Sequence, residues 1–177
     1  MLERLNYAHN SKITLPDDYI NGQGEGEVAK MKYGICTMAW NGCEMIALCN
    51  AMRAIGRKVE LRDVAREMYP VSQVAMGFFG SNVYVLGHYF KKHGVKYSST
   101  LSYNDFFNQL KEHRIGVCSF WNRRILFGSL HTVAVEFKDG CYVVYNKSNK
   151  KTEPVPLKFR GMLTSKKLFI KGYLIDE

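Results

Sequence analysis

The segment that decides the fold runs Asn41-Gly42-Cys43-Glu44-Met45-Ile46-Ala47-Leu48-Cys49-Asn50-Ala51-Met52-Arg53-Ala54-Ile55-Gly56. Its larger apolar residues recur with a period of about 3.6, which predicts one amphipathic helix with a single buried face. That face carries Met45, Ile46, Cys49, Met52 and Ile55. Gly56 suits the left-handed conformation that ends many helices. A short turn at Asn41-Gly42 therefore delivers Cys43 to the first turn of this helix.

A thiol at the start of a helix is well placed to become a thiolate. The first N–H groups of a helix lack intrahelical partners, and the helix dipole adds positive potential there. Both effects favour an anion, so the sequence predicts that the pKa of Cys43 falls below that of an ordinary cysteine. Because the thiolate is the nucleophilic form of cysteine, Cys43 is the candidate nucleophile.

Two further residues complete a candidate catalytic set. His131 opens a predicted strand, and Asn146 closes the next one after a tight turn at Asp139-Gly140. A turn centre at about residue 138.5 places Asn146 beside His131. The Asn146 side-chain carbonyl is then expected to accept from an imidazole N–H and to hold His131 in one tautomer. A cysteine on a helix, followed by a histidine and an asparagine on neighbouring strands, is the order of a papain-type thiol hydrolase.

The rest of the pattern changes from helical to strand-like along the chain. Helices are predicted at 60–69, ended by Pro70, at 81–92, capped by Ser81, and at 103–113, capped by Ser102. Strands are predicted at 95–98, 116–121, 131–137, 141–146 and 168–175. This order predicts an α+β domain in which an N-terminal helical half, with the nucleophile helix, packs on a C-terminal antiparallel sheet. A cleft is expected where the two halves meet.

The chain divides into an N-terminal segment and one domain. Residues 1–30 lack a periodic pattern, and the stretch 21–27 is rich in glycine and acid, so an irregular segment is predicted there. Residues 31–177 are of single-domain size. The sequence has neither a signal peptide nor an apolar run of about 20 residues, which predicts a cytoplasmic protein without membrane contact.

Composition leaves room for another class of function. The formal net charge is +9, and 11 tyrosines and 10 phenylalanines could stack nucleobases beside a basic groove, as in a nucleic-acid-binding module. The basic residues are dispersed, however, which favours an ordinary solvated surface. The five cysteines form no C-x-x-C pair, so the sequence predicts neither a metal site nor a disulfide framework. A thiol hydrolase also requires no metal or organic cofactor, and none is predicted.

The motif around Cys43 resembles a known family. The stretch Gly42-Cys43-Glu44-Met45-Ile46-Ala47-Leu48 is similar to the G-C-E-x-x-A-L stretch of the bacterial double-glycine-peptidase-like cysteine peptidases, the bacteriocin-processing type of the papain-like superfamily. The strand from His131, its D-G turn and Asn146 resemble the same family, and the resemblance spans roughly residues 33–147. It implies a papain-like fold and a peptidase that cleaves a peptide or amide bond through an acyl-enzyme. Cys43 is then the nucleophile, His131 the general base and acid, and Asn146 the orienter.

One position departs from that family. Relatives place a glutamine, an oxyanion-hole donor, some six to eight residues before the cysteine, whereas this chain has Ile35-Cys36-Thr37 there. Asn41 is the candidate replacement, together with the Cys43 main-chain N–H, and Gln23 is a more distant one. Losing one such donor costs on the order of 10²-fold in rate. The alternative hypothesis is therefore a catalytically weak or inactive papain-like module that binds a peptide or a protein.

Overall fold

A computed structural model describes residues 1–78, 81–122 and 129–176 of the chain. The helices are α1 (Leu2–Asn10), α2 (Gly26–Lys30), α3 (Met38–Asn41), α4 (Cys43–Ala54), α5 (Leu61–Ser72), α6 (Leu86–Lys92) and α7 (Tyr103–Gln109). The strands are β1 (Lys32–Tyr33), β2 (Cys36–Thr37), β3 (Tyr97–Thr100), β4 (Ile115–Asn122), β5 (Ser129–Lys138), β6 (Cys141–Tyr145), β7 (Val155–Leu157) and β8 (Phe169–Ile175). Short 3₁₀ turns lie at Ala75–Gly77, Val83–Val85 and Arg160–Met162.

Six of these strands form one antiparallel sheet in the order β3-β8-β4-β5-β6-β7, and β1 pairs with β2 in a separate hairpin. Most of the helices precede the sheet in the chain. The predicted α+β class, with helices first and an antiparallel sheet after them, is therefore confirmed. β3 is an exception to the simple order, because it precedes α7 in the chain and yet pairs with the C-terminal strand β8.

The central helix α4 is more deeply buried than the amphipathic helix that the sequence predicted. All of its residues except Arg53 are buried, including Glu44 and Asn50. Asn50 satisfies its polar side chain by exchanging two hydrogen bonds of 2.8 Å with the main chain of Ile20. The helix packs on the sheet through β5 and also contacts α5, so protein surrounds it. The one-sided burial predicted from the sequence is therefore wrong, since an apolar helix enclosed by other elements buries every face.

The sheet carries an apolar core on each face. Val117 and Ala134 belong to the core that contains α4, whereas Cys118 and Val133 belong to the core around Phe106 of α7. Successive side chains of a strand point to opposite faces, so helices on both faces bury every residue in the middle of β4 and β5. The start of α4 and the start of β5 thereby become fixed parts of one scaffold.

The β5–β6 hairpin differs from the predicted register by two residues. The end pairs of its ladder are Lys138 with Cys141 and Ala134 with Tyr145. The turn is centred one residue later than predicted, because Asp139 and Gly140 form the whole two-residue turn. Their φ values are +52° and +75°, as a hairpin turn with two left-handed residues requires. Asn146 therefore follows the last ladder pair and is not directly opposite His131.

The first 30 residues are more ordered than the predicted irregular segment, since they contain α1 and α2. Asn6 and Asn10 lie one helical turn apart on α1 and are both buried. Their side-chain amides donate to the Gly34 carbonyl at 2.8 Å and to the Lys32 carbonyl at 2.9 Å. Polar hydrogen bonds, rather than an apolar face, hold α1 to the β1–β2 hairpin. The segment therefore lacks apolar periodicity, and the sequence pattern did not predict the helix.

Helix ends follow the predicted chemistry at some positions only. Ser102 caps α7 as predicted, and its hydroxyl accepts a first-turn N–H at 3.3 Å. Pro70 does not end α5, which continues through the proline to Ser72. Ser81 is not the cap that was predicted, since Asn82 takes that role at the next 3₁₀ turn.

Candidate active site

A cavity of about 410 Å³ lies where the helical half meets the sheet, as the fold prediction expected. The start of α4 and the start of β5 both contribute to its wall, and Cys43 and His131 line it together. The main-chain N–H of Thr132, the residue after His131, is near enough to the Cys43 thiol to lower its pKa. The structure thus brings the predicted nucleophile and the predicted base into one site.

Cys43 occupies the first position of α4, as predicted. Gly42 permits this junction, since a Cβ there would lie only 2.7 Å from the carbonyl oxygen of Met38. The Cys43 side chain is 5% exposed, and its Sγ donates to Oε2 of Glu44 at 3.1 Å. The thiol is therefore held at the cavity wall by its neighbour in the sequence.

The pKa of Cys43 is shifted in the direction opposite to the prediction. Burial raises the pKa of this thiol well above its ordinary value, and the charge of the adjacent Glu44 raises it further. The main-chain N–H groups of Thr132 and Glu44 lower the pKa, as expected at a helix start, but their effect is smaller. Burial outweighs the helix N-terminus, so the resting group is a neutral thiol.

His131 is held in one tautomer. It is 7% exposed, and its Nε2 lies 3.0 Å from the main-chain carbonyl oxygen of Asn146. A carbonyl oxygen can only accept, so Nε2 carries the ring proton and Nδ1 keeps a lone pair. Burial lowers the pKa of His131 below its ordinary value, which favours the neutral ring at neutral pH. A neutral imidazole in a fixed tautomer is ready to act as a base.

Asn146 orients His131 through an atom that was not predicted. The main-chain carbonyl makes the contact, whereas the side chain binds Gln23. Asn146 Oδ1 accepts the Gln23 main-chain N–H at 3.1 Å, and Asn146 Nδ2 donates to Gln23 Oε1 at 2.8 Å. Its φ is +56°, a conformation that asparagine tolerates better than most residues. The prediction that its side-chain amide orients the imidazole is therefore corrected.

Gln23 lines the same cavity and is 3% exposed. Its Nε2 donates to the carbonyls of Met38 at 3.3 Å and Ala39 at 3.2 Å, just before the turn that leads to Cys43. The sequence placed Gln23 in a glycine-rich irregular stretch, where no local signal marks a buried residue. Its position depends on Asn146, which is 123 residues away in the chain.

Asn41, the predicted oxyanion-hole donor, also lines the cavity. Its Nδ2 donates to the carbonyl of Tyr33 at 2.9 Å, a bond that ties α3 to β1. The amide nitrogen is therefore engaged within the fold in this state. The oxyanion-hole role of Asn41 stays a prediction.

Sequence analysis missed Glu44 as a site residue. It follows Cys43 directly, lines the cavity and is 2% exposed. Burial raises the pKa of the Glu44 carboxyl to about 7. The sequence did contain one sign of this burial. Glu44 lies in the first turn of a helix whose other residues are mostly apolar, and a carboxyl group in such a helix is expected to be buried with it.

Exposed aromatic side chains border the cavity. Both tryptophans of the chain line it, with Trp40 67% and Trp121 43% exposed. Trp40 is fixed by a hydrogen bond from its Nε1 to the Phe78 carbonyl at 3.2 Å. Large exposed aromatic groups beside a cavity that holds convergent polar groups are typical of a ligand-binding site.

The described residues include no arrangement of three or more histidine, cysteine, aspartate or glutamate side chains that would hold a metal ion. All five cysteines are free thiols. Within the same ranges, every helix is either too short or too polar to cross a membrane. The site is therefore interpreted from the chemistry of Cys43, His131 and the groups around them.

No protein-family model matches this chain, and no curated protein is significantly similar to it in sequence. The geometry of the cavity is accordingly the basis for assigning a function.

Proposed function

We propose that this protein is a papain-like cysteine peptidase or a related thiol hydrolase. One observation carries the proposal: His131 Nε2–H donates to the Asn146 carbonyl, which leaves Nδ1 unprotonated on a residue that lines the same cavity as Cys43. A helix that begins at the cysteine and packs on an antiparallel sheet agrees with the papain-like fold expected from the resemblance.

The proposed reaction uses the resting protonation states directly. Cys43 Sγ attacks a peptide carbonyl carbon while its proton passes to His131 Nδ1, and an S–C bond forms. The C–N bond then breaks, and the imidazolium returns that proton to the leaving amine. Water next gives a proton to Nδ1 as its oxygen attacks the thioester, the C–S bond breaks, and the proton returns to the sulfur. No metal or organic cofactor takes part in these steps.

Three groups at the cavity are candidate donors to the oxyanion: the Cys43 main-chain N–H and the side-chain amides of Gln23 and Asn41. The main-chain N–H of Cys43 is at the start of α4, where N–H groups have no intrahelical acceptor. Gln23 supplies a side-chain amide in the cavity, although it precedes Cys43 by 20 residues rather than the six to eight of the resembled family. Both amide nitrogens are engaged within the fold, that of Gln23 with the carbonyls of Met38 and Ala39 and that of Asn41 with the carbonyl of Tyr33, so either would have to release a carbonyl to serve as the second donor. The substrate class is a peptide or protein.

A second candidate function is peptide binding without efficient catalysis. The observation that favours it is the bond from the Cys43 thiol to Glu44, together with the raised pKa of that thiol. A thiol held by a carboxylate is a poor nucleophile until its proton is removed. The two functions differ in whether His131 activates Cys43, and this difference can be measured.

We expect iodoacetamide to alkylate Cys43 about 10²-fold more slowly at pH 7 in the His131→Ala variant than in the wild type, the usual size of general-base assistance. The wild-type rate should rise with pH as His131 loses its proton. The midpoint should lie below the ordinary histidine pKa of about 6.5, because burial lowers the pKa of His131. Mass spectrometry of peptides resolves the rate at each cysteine.

Cys36 and Cys141 provide the internal control for this experiment, since both are half-buried free thiols on other strands. Their alkylation rates should be the same in the two proteins. Equal Cys43 rates in wild type and variant would reject the hydrolase and leave the binding function.

The Asn146→Gly variant should keep His131-dependent alkylation of Cys43, because glycine retains the carbonyl and accepts a φ of +56°. The free energy of unfolding should fall by about 1–3 kcal/mol, since the Gln23 N–H and Oε1 lose their buried partners. Urea unfolding and Cys43 alkylation measure the two effects separately.

Asn146→Ala is the matched comparison. It removes the same side chain but adds about 1–2 kcal/mol of strain, because alanine resists a positive φ. If Asn146→Gly abolishes the His131 dependence, the side chain rather than the main-chain carbonyl orients the imidazole.

A further inference from the structure

Glu44 is placed to act on the reacting atom itself. Its Oε2 lies 3.1 Å from Cys43 Sγ and accepts the thiol proton in a hydrogen bond. It lines the same cavity as His131, and it is 2% exposed. Glutamate is almost never fully buried without a partner. The partner here is the candidate nucleophile rather than a lysine or an arginine.

Within the described ranges, the groups around Glu44 leave its charge to act mainly on Cys43. Among the residues that the structure describes, three titratable groups lie around it: Cys43 on the same helix, His131 on β5 and Tyr33 on β1. Burial raises the pKa of Tyr33 to about 12, so this phenol is neutral in the relevant range. None of the described residues that line the cavity is lysine or arginine. The Glu44 carboxylate therefore has no cationic side chain among them to neutralise it.

We propose that Glu44 is a catalytic residue that switches Cys43 between a held thiol and a reactive one. As a carboxylate, Glu44 accepts the Sγ–H bond, competes with His131 Nδ1 for the thiol proton and disfavours a negative sulfur next to it. As a carboxylic acid, it carries no charge and its O–H can donate to the developing thiolate. Peptide hydrolysis and alkylation are then fastest when Glu44 is protonated and His131 is neutral.

The two states of this switch differ by one proton, which Glu44 holds or releases. In the reactive state, the carboxyl proton stays on Glu44, the Sγ proton passes to Nδ1 of His131, and the carboxyl O–H donates to the sulfur. In the held state, Glu44 has released its proton to solvent and the thiol keeps its own. The switch changes the rate of the reaction proposed above and adds no chemical step to it, so it rests on that proposed function.

The expected signature is a rate maximum in the alkylation of Cys43 between about pH 5 and 8. The rising limb follows the deprotonation of His131, whose pKa burial lowers. The falling limb follows the ionisation of Glu44, whose pKa burial raises to about 7. At higher pH, direct ionisation of the thiol raises the rate again. The profile of the unmodified protein alone tests this prediction, without a variant.

Glu44→Gln should remove the falling limb and raise the Cys43 alkylation rate at pH 8 by about tenfold, which corresponds to one unit of thiol pKa. The glutamine amide keeps the size of the side chain and can donate to the sulfur as the protonated acid does. Glu136→Gln is the matched control, because it removes one charge from a half-buried glutamate on β5, the strand that carries His131. That control should reproduce the wild-type profile.

The outcomes separate this inference from the proposed function. A wild-type profile without a falling limb, or a slower Cys43 reaction in Glu44→Gln, overturns the switch; the slower reaction would make the carboxylate a base that assists the thiol. If Cys43 alkylation depends on His131 but not on Glu44, the hydrolase stands and the switch fails. If it depends on neither residue, both fail.

Discussion

Replacement of Cys43 by alanine is expected to lower the rate of peptide hydrolysis by on the order of 10³-fold or more, to the background of the assay. Removal of a nucleophile eliminates the acyl-enzyme route, and the remaining cavity groups supply only binding and oxyanion stabilisation. The side chain is small and lies at the cavity wall, so its loss should leave the fold intact. Hydrolysis is measured with a mixture of fluorescence-quenched peptides of varied sequence, because the proposal specifies the substrate only as a peptide or protein.

Two controls make this result specific. Cys36→Ala removes a half-buried thiol on β2 and should hydrolyse the peptides as the wild type does. The acyl-enzyme should be visible in the wild type as an added mass on Cys43 after acid quenching, and absent from Cys43→Ala. A Cys43→Ala protein that retains more than a tenth of the wild-type rate would show that another residue is the nucleophile.

Replacement of Phe106 by alanine is expected to cost about 3–5 kcal/mol of the free energy of unfolding. Phe106 is fully buried, and its ring lies directly on two glycines of neighbouring strands. A Cβ at Gly172 would lie 2.2 Å from this ring, and one at Gly116 would lie 2.7 Å from it. Both glycines are needed for this close approach, and loss of the ring leaves a cavity that the sheet cannot refill.

Thermal unfolding should show the same loss as a fall in Tm of about 6–20 °C, at roughly 2–4 °C per kcal/mol for a chain of this size. Phe159→Ala is the matched control, because Phe159 is 61% exposed and its removal should change stability by less than about 0.5 kcal/mol. Phe106 packs in the core on the sheet face away from α4. Alkylation of Cys43 in the folded fraction should therefore be unchanged, and a loss of that reactivity at low temperature would contradict this assignment of the two cores.

These expectations depend on features that the sequence predicted with different success. The helix that begins at Cys43 and the cap at Ser102 were predicted correctly, because both follow from interactions within a few residues. The prediction failed where distant segments decide the outcome. For example, α1 has no apolar periodicity, and a hydrogen bond from Asn10 to the main chain of β1 helps to hold it in place.

In the hairpin that leads to Asn146, a small error in the predicted turn changed the predicted partner of every residue. A shift of the turn centre by one residue moves each cross-strand pair by two, which leaves every side chain on its predicted face but changes its partner. Asn146 consequently passes the end of the ladder, and its main-chain carbonyl rather than its side chain contacts His131. The sequence was sufficient to predict that Asn146 contacts His131, but which atom of Asn146 makes the contact depended on the backbone geometry.

The sequence by itself determined the α+β class, the place of Cys43 at a helix start and the strand that bears His131, since periodicity and turn chemistry are local. Only the tertiary structure decided the burial of Glu44, the position of Gln23 in the cavity and the direction of the Cys43 pKa shift. A buried charge responds to every group that excludes water from it, and those groups come from distant parts of the chain. Local chemistry thus placed the thiol, and long-range packing set its protonation state.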